Sequence, residues 1–270
     1  MSLNYCLRDA ERWAAFSGDY NPIHFDAAEA NRLGMERICV HGMRAMLDVK
    51  SALSQAIDTY ALSSDSVLFS CRLREPVLCG TPYELPVSDT SGVGGIEVSG
   101  KLSNATTYRT SLSSKLSEAH AQERASLTAV GTLRGASIGT LYDQFQTLEV
   151  ATVPLWTFYD ALLFRLLVNA PETLATVQNI LPQHSADSLK AIFTLVQVVQ
   201  THHETRFPRQ MLQHAGDTTW FDDLHYAIQP TLVMGEKETG LVFVAGIEAW
   251  QNNGIPIAVE VTLKTAPIAE

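Results

Sequence analysis

Cysteine is scarce in this 270-residue chain, and its four copies, Cys6, Cys39, Cys71 and Cys79, form no CxxC pair. The common zinc spacings are therefore excluded. Two of the four sit in apolar surroundings and read as small packed hydrophobes, so reduced thiols in a cytoplasm are expected. Basic residues are in deficit: 19 Lys and Arg face 29 Asp and Glu, a formal charge of −10. Nonspecific nucleic-acid binding needs a basic footprint, so no nucleic-acid partner is expected. Long apolar runs are also missing. Each apolar segment meets a charge well before 18 residues, so no span across a membrane is expected. Met1-Ser2-Leu3-Asn4 has neither the basic region nor the apolar run of a signal peptide.

What the chain does have is 46% hydrophobic and 18% charged residues, enough to bury a core in one large domain or two modest ones. Its most informative stretch is Phe16-Ser17-Gly18-Asp19-Tyr20-Asn21-Pro22-Ile23-His24-Phe25-Asp26, followed at position 41 by His41-Gly42-Met43. Pro22 lacks an N–H and pushes Asn21 out of the helical region, and Gly18 permits a sharp turn. A kinked loop of this kind can aim Asp19 and His24 at one point, whereas a regular helix would put residues five apart on different faces. A converging carboxylate and imidazole can hold a water and move its protons.

Residues 8–16 read as a short helix with Trp13 and Phe16 on one face. Asp26 reads as an N-cap with Glu29 completing a capping box, and Gly34 stops that helix. Near Gly42 a third helix begins, about four turns long, with Met46, Val49, Leu53, Ala56 and Tyr60 at helical spacing. Its first amides lack partners and would suit an oxygen that gains negative charge. Strands are expected over Val67–Leu73, from Tyr83, and as a hairpin of Ile96–Leu102 with Tyr108–Leu116. The second half repeats this order: a helix over Leu155–Leu163, another over Leu189–Val199, then strands Leu224–Val233, Thr239–Gly246 and Ile255–Leu263. Residues 121–145 read as a connection between units spanning 1–120 and 146–270. A helix followed by several antiparallel strands predicts an α+β fold. His202-His203-Glu204, with His214 and Asp217 nearby, holds metal-ligand residue types, but adjacent histidines of a helix diverge and no HExxH pattern occurs, so a solvated helix end is expected. Arg72, Arg74, Lys101 and Arg109 read as surface charge on strands.

The motif Ser17-Gly18-Asp19-Tyr20-Asn21-Pro22-Ile23-His24 with His41-Gly42-Met43 closely resembles the MaoC-like, (R)-specific enoyl-CoA hydratase family, and Arg74-Glu75-Pro76-Val77 followed by Gly80 resembles that family's corner between strands. The resemblance covers residues 8–60 well. It implies a hot-dog fold, a long helix wrapped by an antiparallel sheet, and here a double hot-dog whose second unit lacks the motif. It implies a hydro-lyase acting on enoyl and (R)-3-hydroxyacyl thioesters. Asp19 and His24 would be catalytic and Gly42 would polarise the thioester carbonyl, with Asn21, Ser17 and His41 supporting them. CoA or an acyl carrier protein would be the substrate handle, with no metal or redox cofactor. Turnover on carrier-protein intermediates and a non-catalytic thioester-binding subunit are the alternatives. The chain departs from the family in three ways. The strand before the motif is expected to be missing or very short, the motif lies in the first half, and Asp48 and Lys50 stand where small or apolar residues are usual. Lys50 and Met46 are accordingly expected near the acyl tunnel. Whether two chains pair as a homodimer is left open.

Overall fold

The computed structural model describes residues 1–92, 95–120, 131–150, 153–180, 197–213, 221–252, 254 and 256–268. A three-residue strand β1 (Ser2–Asn4) precedes helix α1 (Leu7–Ser17), so the short first strand expected before the motif is present and pairs with β5 (Pro82–Glu84). A one-turn 3₁₀ helix over Pro22–His24 leads to α2 (Ala27–Arg32). Asp26 caps α2 through its Oδ1, which accepts the N–H groups of Ala28 and Glu29 at 2.8 and 3.4 Å. Glu29 does not complete the expected capping box; its carboxylate binds Arg32 one turn on.

Strand β2 (Cys39–Val40) runs into the long helix α3 (Gly42–Ile57), which stops before Tyr60. The first unit continues through β3 (Ser66–Leu73), β4 (Val77–Leu78), β5, β6 (Val87–Gly92), β7 (Gly95–Asn104) and β8 (Thr110–Ala119). The β7–β8 hairpin lies where the alternation predicts it. The second unit holds β9 (Gly131–Leu133), α4 (Gly135–Gln146), α5 (Leu155–Val168), α6 (Pro171–Ile180), β10 (Val198–Pro208), β11 (Leu224–Ile228), β12 (Leu232–Glu236), β13 (Gly240–Trp250) and β14 (Ile257–Thr265).

The two units share connectivity. In the first, α3 is followed by three long strands that lie side by side as β3-β8-β7; in the second, α5 is followed by three that lie as β10-β14-β13. Strands β3 and β10 then pair antiparallel, Arg72 opposite His202 through Ser66 opposite Pro208, and fuse both sheets into one of twelve strands among the described residues. Helices α3 and α5 pack on this sheet and on each other, where Trp156 Nε1 donates to Ser54 Oγ at 3.1 Å and the Trp156 ring stacks on Phe207 at 4.4 Å. The fold is the expected α+β double hot-dog.

Four expectations need correction. Residues 131–145 are not a bare connection: β9 pairs with β11, and α4 packs its Phe145 against Phe158 of α5 and Phe16 of α1. The helix expected over Leu189–Val199 is not seen where it can be described; residues 189–196 lie outside the described residues, and Val198 and Val199 begin strand β10. The buried apolar helix against α3 is α5 instead. His202-His203-Glu204 is not a helix end but the middle of β10, with His203 fully buried and its neighbours facing out. His214 and Asp217 lie outside the described residues. The expected strand Leu224–Val233 is two strands, β11 and β12, which pair side by side with the longer β13.

Candidate active site

Helix α1 ends because Gly18 takes φ +81°, a left-handed conformation that residues with a Cβ adopt only under strain. The second unit fixes this corner: Arg165 donates to the Phe16 carbonyl and Asn169 Nδ2 to the Ser17 carbonyl. The loop is then folded by its own polar groups. Ser17 Oγ accepts the Asp19 N–H at 3.1 Å, Asp19 Oδ1 accepts the Asn21 N–H at 3.2 Å, and Asn21 Oδ1 accepts the Ile23 N–H at the start of the 3₁₀ turn. Ser17 and Asn21 are thus buried supports of the loop, as the motif predicts.

The 3₁₀ turn delivers His24 to the Asp19 side. His24 Nδ1 lies 2.8 Å from the Cys39 carbonyl, an acceptor only, so Nδ1 carries the hydrogen and neutral His24 keeps its lone pair on Nε2. His41 stacks on His24 with ring centroids 3.6 Å apart, and its Nε2 donates to the Asp19 carbonyl at 2.9 Å. His41 is therefore a wall and a clamp on the loop, consistent with its supporting place in the motif. Burial pushes the Asp19 carboxyl above its ordinary range and His24 below its own, while each partner's charge works against the shift. Burial, reinforced by His24, drives His41 well below the usual imidazole range. Burial thus works toward the neutral form of both imidazoles and of the Asp19 carboxyl. The Asp19 side chain keeps 19% of its surface exposed, enough for water to reach it.

Ligand-capable atoms of Asp19, His24 and His41 lie within 4.8 Å of one another. One nitrogen of each ring, His24 Nδ1 and His41 Nε2, is already engaged by a backbone carbonyl. The same spacing suits a water bonded to Asp19 and His24 at about 2.8 Å each.

Asp19, Asn21, His24, His41 and Gly42 all line one cleft of about 380 Å³. Gly42 is the first residue of α3, whose leading amides have no acceptor within the helix. The far wall comes from the second unit: Phe164 and Val168 of α5, Gln200 of β10, Phe243 and Ala245 of β13, and Leu263 of β14. Of the four strand cations, Arg74 lines this cleft; Arg109 does not, but pairs with the lining residue Glu75.

Gly42 also has a steric reason to lack a side chain. A Cβ there would stand 2.4 Å from Leu73 Cδ2, and Leu73 lines the cleft. Gly42→Ala should still fold, because Leu73 can rotate, at a cost of about 1 kcal/mol in urea unfolding. The displaced Leu73 should narrow the cleft, so KM should rise more than kcat falls. An unchanged KM would show that Leu73 yields away from the cleft.

Lys50 and Met46 do not line the cleft. Both are fully buried, and Lys50 turns from α3 to α5, where its ammonium binds the carboxylate of Asp160. Asp48 likewise pairs internally, with Arg44 at 2.8 Å and the Tyr5 hydroxyl at 3.1 Å. Side chains eight residues along a helix from Gly42 share its direction only roughly, and here both charges found partners in neighbouring elements. Sequence reasoning missed Cys39, Arg165, Asn169, Asp160 and Gln200. The signal for Asp160 was present: a lone carboxylate amid the apolar Leu155–Leu163 run requires a buried partner.

Residues 2–109 match the family model described as MaoC like domain. No curated protein matches the chain. Among solved structures the chain is similar to a MaoC-like dehydratase, at 9% identity over 99% of this chain and 96% of that one, with a TM-score of 0.49. It is also similar to a conserved hypothetical protein from Mycobacterium tuberculosis with a double hot-dog fold, at 13% identity over 98% and 94%, with a TM-score of 0.49. To the (R)-hydratase from A. caviae involved in PHA biosynthesis the identity is 20%, over 44% of this chain and 92% of that one, with a TM-score of 0.36. No helix among the described residues is long and apolar enough to cross a membrane. Over residues 2–109 the chain is similar to MaoC-like domains.

Proposed function

We propose that the protein is a hydro-lyase that reversibly adds water to a trans-2-enoyl thioester to give an (R)-3-hydroxyacyl thioester. The observation that carries this reading is the convergence of Asp19 and His24 in a cleft that also contains the start of α3. The Asp19 carboxylate accepts one hydrogen of a water and His24 Nε2 accepts the other. As His24 removes a proton, the water oxygen attacks carbon 3. Negative charge moves to the thioester oxygen, which the Gly42 N–H and the positive end of α3 stabilise. The proton held by the dyad returns to carbon 2 on the same face. Dehydration follows the same steps backwards.

The apolar wall from the second unit suits an acyl chain, and Arg74 beside the cleft suits the phosphates of CoA or of a carrier protein's prosthetic arm. Lys50 is paired inside the core and does not line the cleft, which leaves the space beside the start of α3 open to an acyl chain. The test is the loss of enoyl-thioester ultraviolet absorbance with crotonyl-CoA and longer trans-2-enoyl-CoAs. Hydration of any of them, with the (R) product, supports the reading and sets the chain-length preference. Inertness with CoA esters and with matching carrier-protein esters would end it.

A further inference from the structure

A chain of buried polar groups runs from the core between the two helices to the cleft, and the hydration steps do not use it. Asp160 of α5 is fully buried. One carboxylate oxygen faces the Lys50 ammonium; the other accepts from His203 Nε2 at 2.6 Å and from the Thr205 hydroxyl. His203, also fully buried, bonds Gln200 through its Nδ1 at 3.1 Å. Gln200 lines the cleft.

Each link fixes the polarity of the next. Burial pushes Asp160 toward its neutral form, but His203 and Lys50 outweigh it and hold the carboxyl below the usual range. An ionised Asp160 only accepts, so His203 Nε2 carries its hydrogen. Burial holds His203 below the usual imidazole range, which leaves Nδ1 as a bare lone pair. Only a donor can face that lone pair, so the Gln200 group turned to it is the amide nitrogen. The same nitrogen lies 3.4 Å from the His202 carbonyl and 3.9 Å from Met43 Sδ. Gln200 Oε1 has no partner among the described residues. Gln200 lines the cleft together with the apolar Phe164, Phe243 and Leu263, so its carbonyl is a polar acceptor open to a bound ligand on an otherwise apolar wall.

We propose that Gln200 is a hydrogen-bond acceptor for an N–H or O–H of a bound acyl thioester, and that Lys50, Asp160 and His203 orient its amide for this purpose. This rests on the hydro-lyase reading for the ligand class. A thioester carbonyl and a hydrocarbon chain donate nothing, so the donor is either a group of the pantetheine arm, an amide N–H or its hydroxyl, or the 3-hydroxyl of the hydroxyacyl form.

Calorimetric titration with butyryl-CoA and (R)-3-hydroxybutyryl-CoA tests this, in an Asp19→Asn background that suppresses turnover. Adding Gln200→Leu should weaken binding about three- to tenfold, the worth of one neutral hydrogen bond. Equal loss on both ligands identifies a donor on the pantetheine arm; loss confined to the hydroxyacyl ligand identifies the 3-hydroxyl. No loss on either overturns the proposal while leaving the hydro-lyase reading intact. No binding of any thioester by the parent protein overturns both. His203→Phe should weaken binding by the same factor, with no further loss when combined with Gln200→Leu; additive losses overturn the orienting role. Should His203→Phe fail to fold, the ¹⁵N resonance of His203 Nδ1 serves instead. It should move toward that of an unbonded lone pair in Gln200→Leu, and an unmoved resonance counts against the bond.

Discussion

Asp19→Asn should lower kcat/KM on trans-2-enoyl thioesters by about 10²–10⁴-fold, the usual worth of a positioned acid or base. The fold should survive, because an asparagine oxygen can still accept the Asn21 N–H that shapes the loop. What is lost is the second acceptor for the water and a store for its proton. His24→Gln should cost a similar factor, since Nε2 is the lone pair that the Cys39 carbonyl reserves for the substrate side. The double variant should cost little more than either single one, because the two groups act as a unit. Activity should fall as pH drops, when the dyad takes up a proton and loses its base. Burial holds His24 below its ordinary value, so that fall should lie on the acid side of the usual imidazole range. A loss under tenfold in Asp19→Asn, with crotonyl-CoA as substrate, would remove Asp19 from the chemistry.

The largest effect on stability is expected at Asp160. Asp160→Ala should destabilise the protein by about 3–5 kcal/mol in urea unfolding, because it strands a buried ammonium and two buried donors. Among the described residues Lys50 would retain ring faces, Phe69 at 5.1 Å and Trp156 at 5.7 Å. Lys50→Met should cost less, since His203 and Thr205 still satisfy Asp160. Lys50→Met with Asp160→Leu should recover part of the loss, as an apolar pair needs no partners. The Asp160 carboxyl is more acidic in the folded chain than in the unfolded one. Its stabilisation is therefore present above the ordinary carboxylate range and lost as pH falls through the folded value. Equal costs for Asp160→Ala and Lys50→Met would mean that His203 and Thr205 contribute nothing to holding the carboxylate.

The legible parts of this protein were those written in local chemistry. Pro22 and Gly18 dictate the kinked loop whatever surrounds it, and the spacing from Met46 to Leu53 dictates the helix. Residues Asp19 and His24 announced themselves because five positions and one proline fix their convergence. Strand β10 was missed because its inward face carries His203 and Thr205 before Phe207, so its alternation does not look apolar. Those polar groups are inward because Asp160 waits for them, and that pairing spans more than forty residues. The cleft wall was illegible for the same reason: Phe164, Gln200 and Leu263 meet only when β3 and β10 join the two sheets. Lys50 was read as a feature of its own helix, and its partner decided otherwise.

The seam of β3 and β10 has a consequence for dilution. In a cleft completed by two separate chains, the far wall departs whenever the chains dissociate, so whatever the cleft does falls with protein concentration. Here the wall is tethered to the dyad by the polypeptide itself, at an effective concentration that dilution cannot change. The two copies of the fold are also free to drift apart in sequence. One can keep the loop of Asp19 and His24 while the other, relieved of it, is free to shape the far wall of the cleft.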